Sequence, residues 1–199
     1  MLRVYLLRHG ETTYNADGNK YCGRTDADLT SKGIQQAKRV AGLLEGIVFQ
    51  AVYSSPLKRA FTTARIASGN LDVITDERLT EMDFGNWEGK TRAAFMEENP
   101  ELWNQWSQDP GATRAGGTGE TAAALLNRVE GFFSEMRQHH PSGDVLVVAH
   151  NAVNRFFLAS QLEMPLKNYR RIVQNNSSVT LIHFDDVEGF SLASVRNRF

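Results

Sequence analysis

Short apolar runs cut off by polar residues alternate along this chain with longer segments whose apolar positions recur at helical spacing. The first run, Val4-Tyr5-Leu6-Leu7, leads straight into Arg8-His9-Gly10-Glu11-Thr12. A run this short, rich in β-formers and ended by glycine, reads as a buried strand. Asp144 to Ala149 repeats the layout and ends on His150-Asn151. Phe49 to Ser54 and Asp72 to Ile74 give a second and a third strand. Ser178 to Asp185 and Phe190 to Val195 flank Asp185-Asp186-Val187-Glu188-Gly189, a hairpin signal.

Helices fill the intervals. Leu29-Thr30-Ser31-Lys32 opens one, with Thr30 as N-cap, Ile34, Ala37, Ala41 and Leu44 on one face, and Gly46 ending it. Pro56 suits the first turn of the next, which runs to about Ala67 and carries Arg59 near its start. Thr91 to Ser107 reads as a helix whose Phe95, Trp103 and Trp106 serve packing. A further helix starts near Glu120, capped by Thr118, and reaches about His139 with Leu125, Val129, Phe132, Phe133 and Met136 apolar. The last spans Asn151 to Leu162.

Three stretches remain as loops. Glu11 to Asp28 holds Asn15 and Cys22-Gly23-Arg24, and its length without clear structure points to function. Arg78 to Gly89 sets Glu81, Asp83 and Glu88 beside Phe84 and Trp87; aromatic cover would raise a carboxyl pKa towards what a general acid needs. Asp109 to Gly119 is glycine-rich, lacks the lysine of a P-loop, and reads as a flexible linker. His139 and His140 precede a Pro141-Ser142-Gly143 turn and read as solvated, while His183 reads as a structural strand residue.

Strands alternating with helices imply an α/β fold with parallel crossovers. In such sheets ligands bind at the carboxyl ends of the strands. If the strands before His9 and His150 are parallel and near each other, both imidazoles emerge on one edge with Arg8. Guanidinium and imidazole, with Gly10 allowing close backbone approach, suit an anion such as phosphate. The helix after His150 would aim its free N–H groups at the same anion.

Composition narrows the partners. A chain of 199 residues suits one domain with a substantial core. The formal net charge of -1 leaves no electrostatic footprint for nucleic acid or an anionic membrane. Cys22 is the single cysteine, so no internal disulfide framework or cysteine-built zinc site is expected. Arg3 and Arg8 interrupt the first apolar run, so it does not read as a signal peptide, and no segment approaches the ~20 apolar residues of a membrane span. The expectation is a cytoplasmic protein. No histidine–carboxylate cluster has ligand spacing, so neither metal nor cofactor is expected.

Taken in order, Leu7-Arg8-His9-Gly10-Glu11-Thr12, Leu29-Thr30 to Ala37, Ser54-Ser55-Pro56-Leu57-Lys58-Arg59-Ala60, Thr80-Glu81-Met82 to Glu88-Gly89 and Val148-Ala149-His150 resemble the histidine phosphatase superfamily, the phosphoglycerate mutase-like proteins. The resemblance covers nearly the whole chain. It implies a three-layer α/β/α sandwich with a mostly parallel sheet and one C-terminal antiparallel strand. It implies a single domain over 1–199 with a helical cap excursion at about 90–119. His9 would be the nucleophile, passing through a phosphohistidine. Arg8, Arg59 and His150 would complete the phosphate pocket, and Glu81 would donate the proton. Asn15, Cys22, Gly23 and Asn151 would lie on the substrate side. Two of these depart from the family's pattern: Cys22 stands where related phosphatases often have glutamine or serine, and Asn151 where glycine is frequent. Asparagine tolerates the left-handed conformation that such a turn would need.

The run Phe84-Gly85-Asn86-Trp87-Glu88-Gly89 looks like the phosphatase branch that includes the α-ribazole and broad-specificity phosphatases. The implied activity is a metal-independent phosphomonoesterase acting on a small phosphate ester. The alternatives are a cofactor-dependent phosphoglycerate mutase, a phosphoprotein phosphatase and a non-catalytic binder of phosphorylated ligands. Arg92, Arg114 and Trp106 are candidate contacts to the leaving group. The sequence leaves the oligomeric state open, a homodimer included.

Overall fold

The computed structural model describes residues 1–185, 187 and 189–197. Strands β1 (Leu2–Arg8), β2 (Phe49–Ser54), β3 (Ile74–Thr75), β4 (Gly143–Ala149), β5 (Val179–Asp185) and β6 (Gly189–Arg196) form a 6-stranded sheet in the order β3-β2-β4-β1-β5-β6. The first four run parallel, and β5 lies antiparallel to both β1 and β6. β5 is therefore the strand that runs against the rest. The hairpin turn expected at 185–189 includes Asp186 and Glu188, which lie outside the described residues.

The central strands are apolar on both sides because both sides are covered. Leu2, Val4 and Leu6 of β1, with Val145, Val147 and Ala149 of β4, face helices α6 (Ala122–His139) and α7 (Asn151–Gln161). Leu7, Leu146 and Val148 face α2 (Ser31–Leu43) and α3 (Lys58–Ala67). These are the three expected layers. On the first side Phe133 of α6 stacks on Phe157 of α7 at 3.8 Å between ring centroids. Each such buried ring contributes roughly 1.5–3 kcal/mol. Among the described residues no helix is long and apolar enough to cross a membrane.

Several boundaries differ from the sequence reading, each for a local reason. The buried face of α2 carries Gly33, Ala37, Val40 and Leu44, whereas Ile34 is exposed and Ala41 half-buried. The helix is turned this way because Gly33 packs backbone to backbone on Glu11, where a Cβ would stand 2.1 Å from the Glu11 carbonyl oxygen. Pro56 precedes α3 rather than entering its first turn. Asp26 Oδ1 takes the Lys58 N–H at 2.8 Å and fixes the start there. The third strand is Ile74–Thr75, shifted from Asp72–Ile74, and it pairs with Tyr53 and Ser54.

The helix expected over 91–107 is two: α4 (Arg92–Glu98) and α5 (Pro100–Gln108). Pro100 has no N–H and holds Asn99 out of the helical region, and the Asn99 side chain then caps Leu102 N at 3.0 Å. The stretch 109–119 is packed rather than a flexible linker. Glu120 N donates to Asp83 O at 2.8 Å and Ala122 N to Pro110 O at 2.8 Å. Those bonds move the α6 cap from Thr118 to Thr121, which accepts from Ala124 N. The loop 11–28 contains a short helix α1 (Thr13–Ala16), with Thr12 and Asn15 forming a capping box. His140 is half-buried and lies 3.0 Å from the Tyr53 hydroxyl, so it is not a solvated turn residue.

Candidate active site

The register of the sheet brings the two histidines together. Arg8 is level with Ala149 where β1 pairs β4, and His9 N donates to Ala149 O at 3.1 Å. His9 and His150 follow those residues, and their rings meet edge-on with centroids 5.1 Å apart. β2, on the far side of β4, delivers Ser55 and then Arg59 on α3 to the same edge. The expectation of one edge for Arg8, His9, Arg59 and His150 is met.

His9 has a defined tautomer. Its Nδ1 lies 2.7 Å from the Gly10 carbonyl oxygen, which can only accept, so Nδ1 carries the proton and Nε2 keeps its lone pair. Burial, then the charges of Arg59 and Arg8, hold its pKa well below the usual histidine value. His150 is fully buried, and burial and Arg59 depress it in the same way. Both rings are neutral at pH 7. Ser55 Oγ sits 2.7 Å from His150 Nε2 and accepts from Leu57 N at 3.3 Å. With the serine as donor to Nε2, the imidazole proton stands on Nδ1.

The arginines are positioned by backbone carbonyls. Arg8 Nη1 donates to Gln174 O at 2.7 Å. Arg59, fully buried, donates from Nη1 to Thr25 O at 2.7 Å and from Nη2 to Gly23 O at 2.7 Å and Cys22 O at 3.2 Å. Arg8 Nε, Arg59 Nε and His150 Nδ1 are buried and have no hydrogen-bond partner among the described residues. A buried donor left unpaired costs about 1–3 kcal/mol. The charges of Arg8 and Arg59 reach His9, and unpaired donors of this kind suit an acceptor-rich anion, although Arg59 and His150 are fully buried and do not line the cleft that opens onto His9.

Glu81 is 4% exposed and reaches α7. Its Oε1 accepts from Met82 N at 2.9 Å and Val153 N at 3.3 Å, and its Oε2 accepts from Ala152 N at 3.2 Å. The group at the start of α7 is thus the Glu81 carboxyl, where the sequence reading put the phosphate. Burial nevertheless raises the Glu81 pKa, against the lowering effect of those N–H groups and Arg59.

A cleft of about 660 Å³ opens onto Arg8, His9 and Glu81, and Asn15, Cys22, Asn151 and Arg92 also line it. Asn15 spends its oxygen on Thr12 and Asn176, and its nitrogen on Asn19. Cys22 turns its thiol to Thr25 O, and burial raises its pKa. Gly23 is buried outside the lining. A Cβ there would stand 2.8 Å from Met82 O, so its role is to let the loop close over Arg59. Gly10 meets the backbone of Gly33, and its N–H is taken by Thr63 Oγ1 at 3.0 Å, so its close approach is to α2 and not to an anion. Asn151 is the first helical residue of α7 and needs no left-handed turn. Trp106 is buried against Trp87, and exposed Arg114 donates to Gly119 O at 2.9 Å; neither lines the cleft.

Two positioning groups escaped the sequence reading. Ser55 stood inside a quoted motif without a role. Arg128 of α6 donates to Arg78 O at 2.7 Å and Thr80 O at 2.6 Å, is paired with Glu120, and so fixes the backbone that presents Glu81. An arginine on an amphipathic helix gives no sequence signal for such a task.

A sequence model described as histidine phosphatase superfamily (branch 1) matches residues 4–198. The chain belongs to the histidine phosphatase superfamily. Its relatives there are phosphoric monoester hydrolases. Phosphoserine phosphatase 1 of Hydrogenobacter thermophilus is 36% identical over 188 residues, covering 94% of this chain and 88% of the relative. The adenosylcobalamin/alpha-ribazole phosphatase of Escherichia coli is 36% identical over 166 residues, covering 82% of this chain and 81% of the relative. The crystal structure of a phosphoserine phosphatase from Entamoeba histolytica in complex with 3-phosphoglyceric acid superposes with a TM-score of 0.88 at 31% identity, over 100% of this chain and 98% of that one. The phosphatase branch and the fold expected from the motifs are both met.

Proposed function

We propose that this histidine phosphatase hydrolyses a small phosphorylated metabolite through a phosphohistidine formed on His9. The observation that carries the reading is the lone pair of His9 Nε2 beside three buried N–H donors without acceptors. Nε2 attacks phosphorus, and the bond from phosphorus to the ester oxygen breaks. The proton of Glu81 passes to the departing alkoxide. In the second half Glu81 takes a proton from water, the water oxygen attacks phosphorus, and the P–N pair returns to His9. Arg8, Arg59 and His150 bind the non-bridging oxygens throughout, where donors aimed at developing charge act most strongly. The Gly10 carbonyl stabilises the imidazolium character of the phosphorylated ring. Charge neutralisation by the two guanidiniums makes the scheme independent of a metal. Residues 90–119 act as a cap over the leaving-group end, where Arg92 and Met96 reach the cleft.

The test is phosphate release from p-nitrophenyl phosphate in EDTA, with the phosphoenzyme trapped by an alkaline SDS quench, in which a phosphohistidine survives. Wild type should release phosphate and label on histidine, and His9→Ala should do neither. Wild-type turnover by His9→Ala would remove the nucleophile assignment. Isomerisation of 3-phosphoglycerate primed by 2,3-bisphosphoglycerate, with little hydrolysis, would replace the phosphatase reading by a mutase.

A further inference from the structure

The proposed steps use Arg8, His9 and Glu81 of the cleft lining. Arg155 and Arg170 line it as well, and the mechanism gives neither a task. Arg155 is four residues after Asn151 on α7, so the two share the helix face that borders the cleft. Arg170 belongs to the 3-10 turn Leu166–Arg171 that packs on α7.

Both guanidiniums are held without a carboxylate. Arg155 Nε donates to Tyr169 O at 3.2 Å, and its guanidinium carbon lies 5.2 Å from the Tyr169 ring. Arg170 Nη2 donates to the Tyr21 hydroxyl at 2.9 Å, over the rings of Trp103 at 4.8 Å and Tyr169 at 5.0 Å. Neither takes part in an ion pair among the described residues. Stacking fixes each planar fork before a ligand arrives. Of the described side chains lining the cleft, Arg8, Lys20, Arg92, Arg155 and Arg170 are cationic and Glu81 alone is a carboxylate. Lys20 is paired with Asp17. A phosphate on His9 and Arg8 leaves the half-buried Arg155 and Arg170 uncompensated. A neutral leaving group would desolvate both cations further and pair neither.

Resting on the phosphomonoesterase reading, we infer that the leaving alcohol carries an anionic group, a carboxylate or a second phosphate, bound by Arg155 and Arg170. The pair discriminates between esters and takes no covalent part in the chemistry on phosphorus, although the charge of Arg155 is felt by Arg8.

The experiment compares kcat/KM for 3-phosphoglycerate, glycerol 1,3-bisphosphate and glycerol 3-phosphate. All release a primary alkoxide, and glycerol 3-phosphate carries a neutral CH2OH in place of the anion. Wild type should favour an anionic ester by about tenfold to a hundredfold, as charge-assisted hydrogen bonds to arginine allow. The anionic ester with the lower KM identifies the group. Arg170→Met and Arg155→Met should bring the ratio towards one, chiefly through KM, and Arg170→Lys should restore part of it. Circular dichroism checks that the Arg155 variant folds; if it does not, Arg155→Lys and the Arg170 pair carry the comparison. Equal kcat/KM for charged and neutral esters in wild type would overturn the inference, as would a preference that survives in Arg170→Met. No phosphate release from any ester, p-nitrophenyl phosphate included, would instead remove the phosphatase reading.

Discussion

Replacing Glu81 by glutamine separates the proton-donor role from simple occupancy of the site. The carboxamide oxygen fits the Oε1 position, where it accepts from Met82 N and Val153 N as the carboxylate does. The NH2 then stands at the Oε2 position, 3.2 Å from the Ala152 N–H, donor against donor. One accepted bond is lost and one buried donor is left unpaired, at a cost of about 1–3 kcal/mol in stability. Chemistry suffers more: a positioned general acid is worth roughly 10²–10⁴ in rate. The assay is kcat/KM, which reads steps up to and including phosphorylation of His9. An alkyl phosphate, whose alkoxide needs the proton, should lose about 10²–10⁴ in kcat/KM. p-Nitrophenyl phosphate, whose phenolate leaves unaided, should lose less than about tenfold. With the latter, Glu81→Gln should also release a burst of nitrophenol and then stall, because water lacks its base. Equal losses for the two esters, with no burst, would refute the assignment of Glu81 as acid and base.

Two further outcomes follow from the same geometry. Ser55→Ala takes the partner from a fully buried His150 Nε2 and frees the tautomer; the bond is worth about 1 kcal/mol net, so kcat/KM should fall about fivefold while Ser55→Thr retains most activity. His9 and His150 are depressed in the fold, so the unfolded chain binds protons that the native state refuses. Stability should therefore be fully present above the unfolded histidine value of about 6.5 and fall as pH drops below it, by up to about 1.4 kcal/mol per pH unit for each ring. Urea midpoints from pH 7 to pH 5 measure this, and a flat profile would contradict neutral rings.

The sheet edge was legible because it depends on short-range pattern. The apolar runs before His9 and His150 are unbroken since both faces of their strands are covered, and that mark survives in one sequence. The reading failed where a residue answers to something distant along the chain. The glycines of 109–119 resemble a linker, yet Gly116 and Gly119 serve close packing on the Asp83 loop. The face of α2 was misjudged by periodicity because the backbone contact of Gly33 with Glu11, and not the bulk of Ile34, sets its rotation. Pro100 was visible and its break between α4 and α5 could have been read. The tie between Glu81 and α7 could not, since nothing in the order of residues says that a loop carboxylate will take the N–H groups of Ala152 and Val153. Arg155 and Arg170 are equally silent, because an arginine on a helix face usually points to water.

That tie makes α7 a common carriage. His150 stands at its first turn as cap, and Glu81 is moored to the N–H groups of Ala152 and Val153. A tilt or slide of this one helix would carry the second imidazole and the acid together, and their mutual alignment would survive it. Arg155 rides on the same helix, so such a motion would carry its guanidinium along with them.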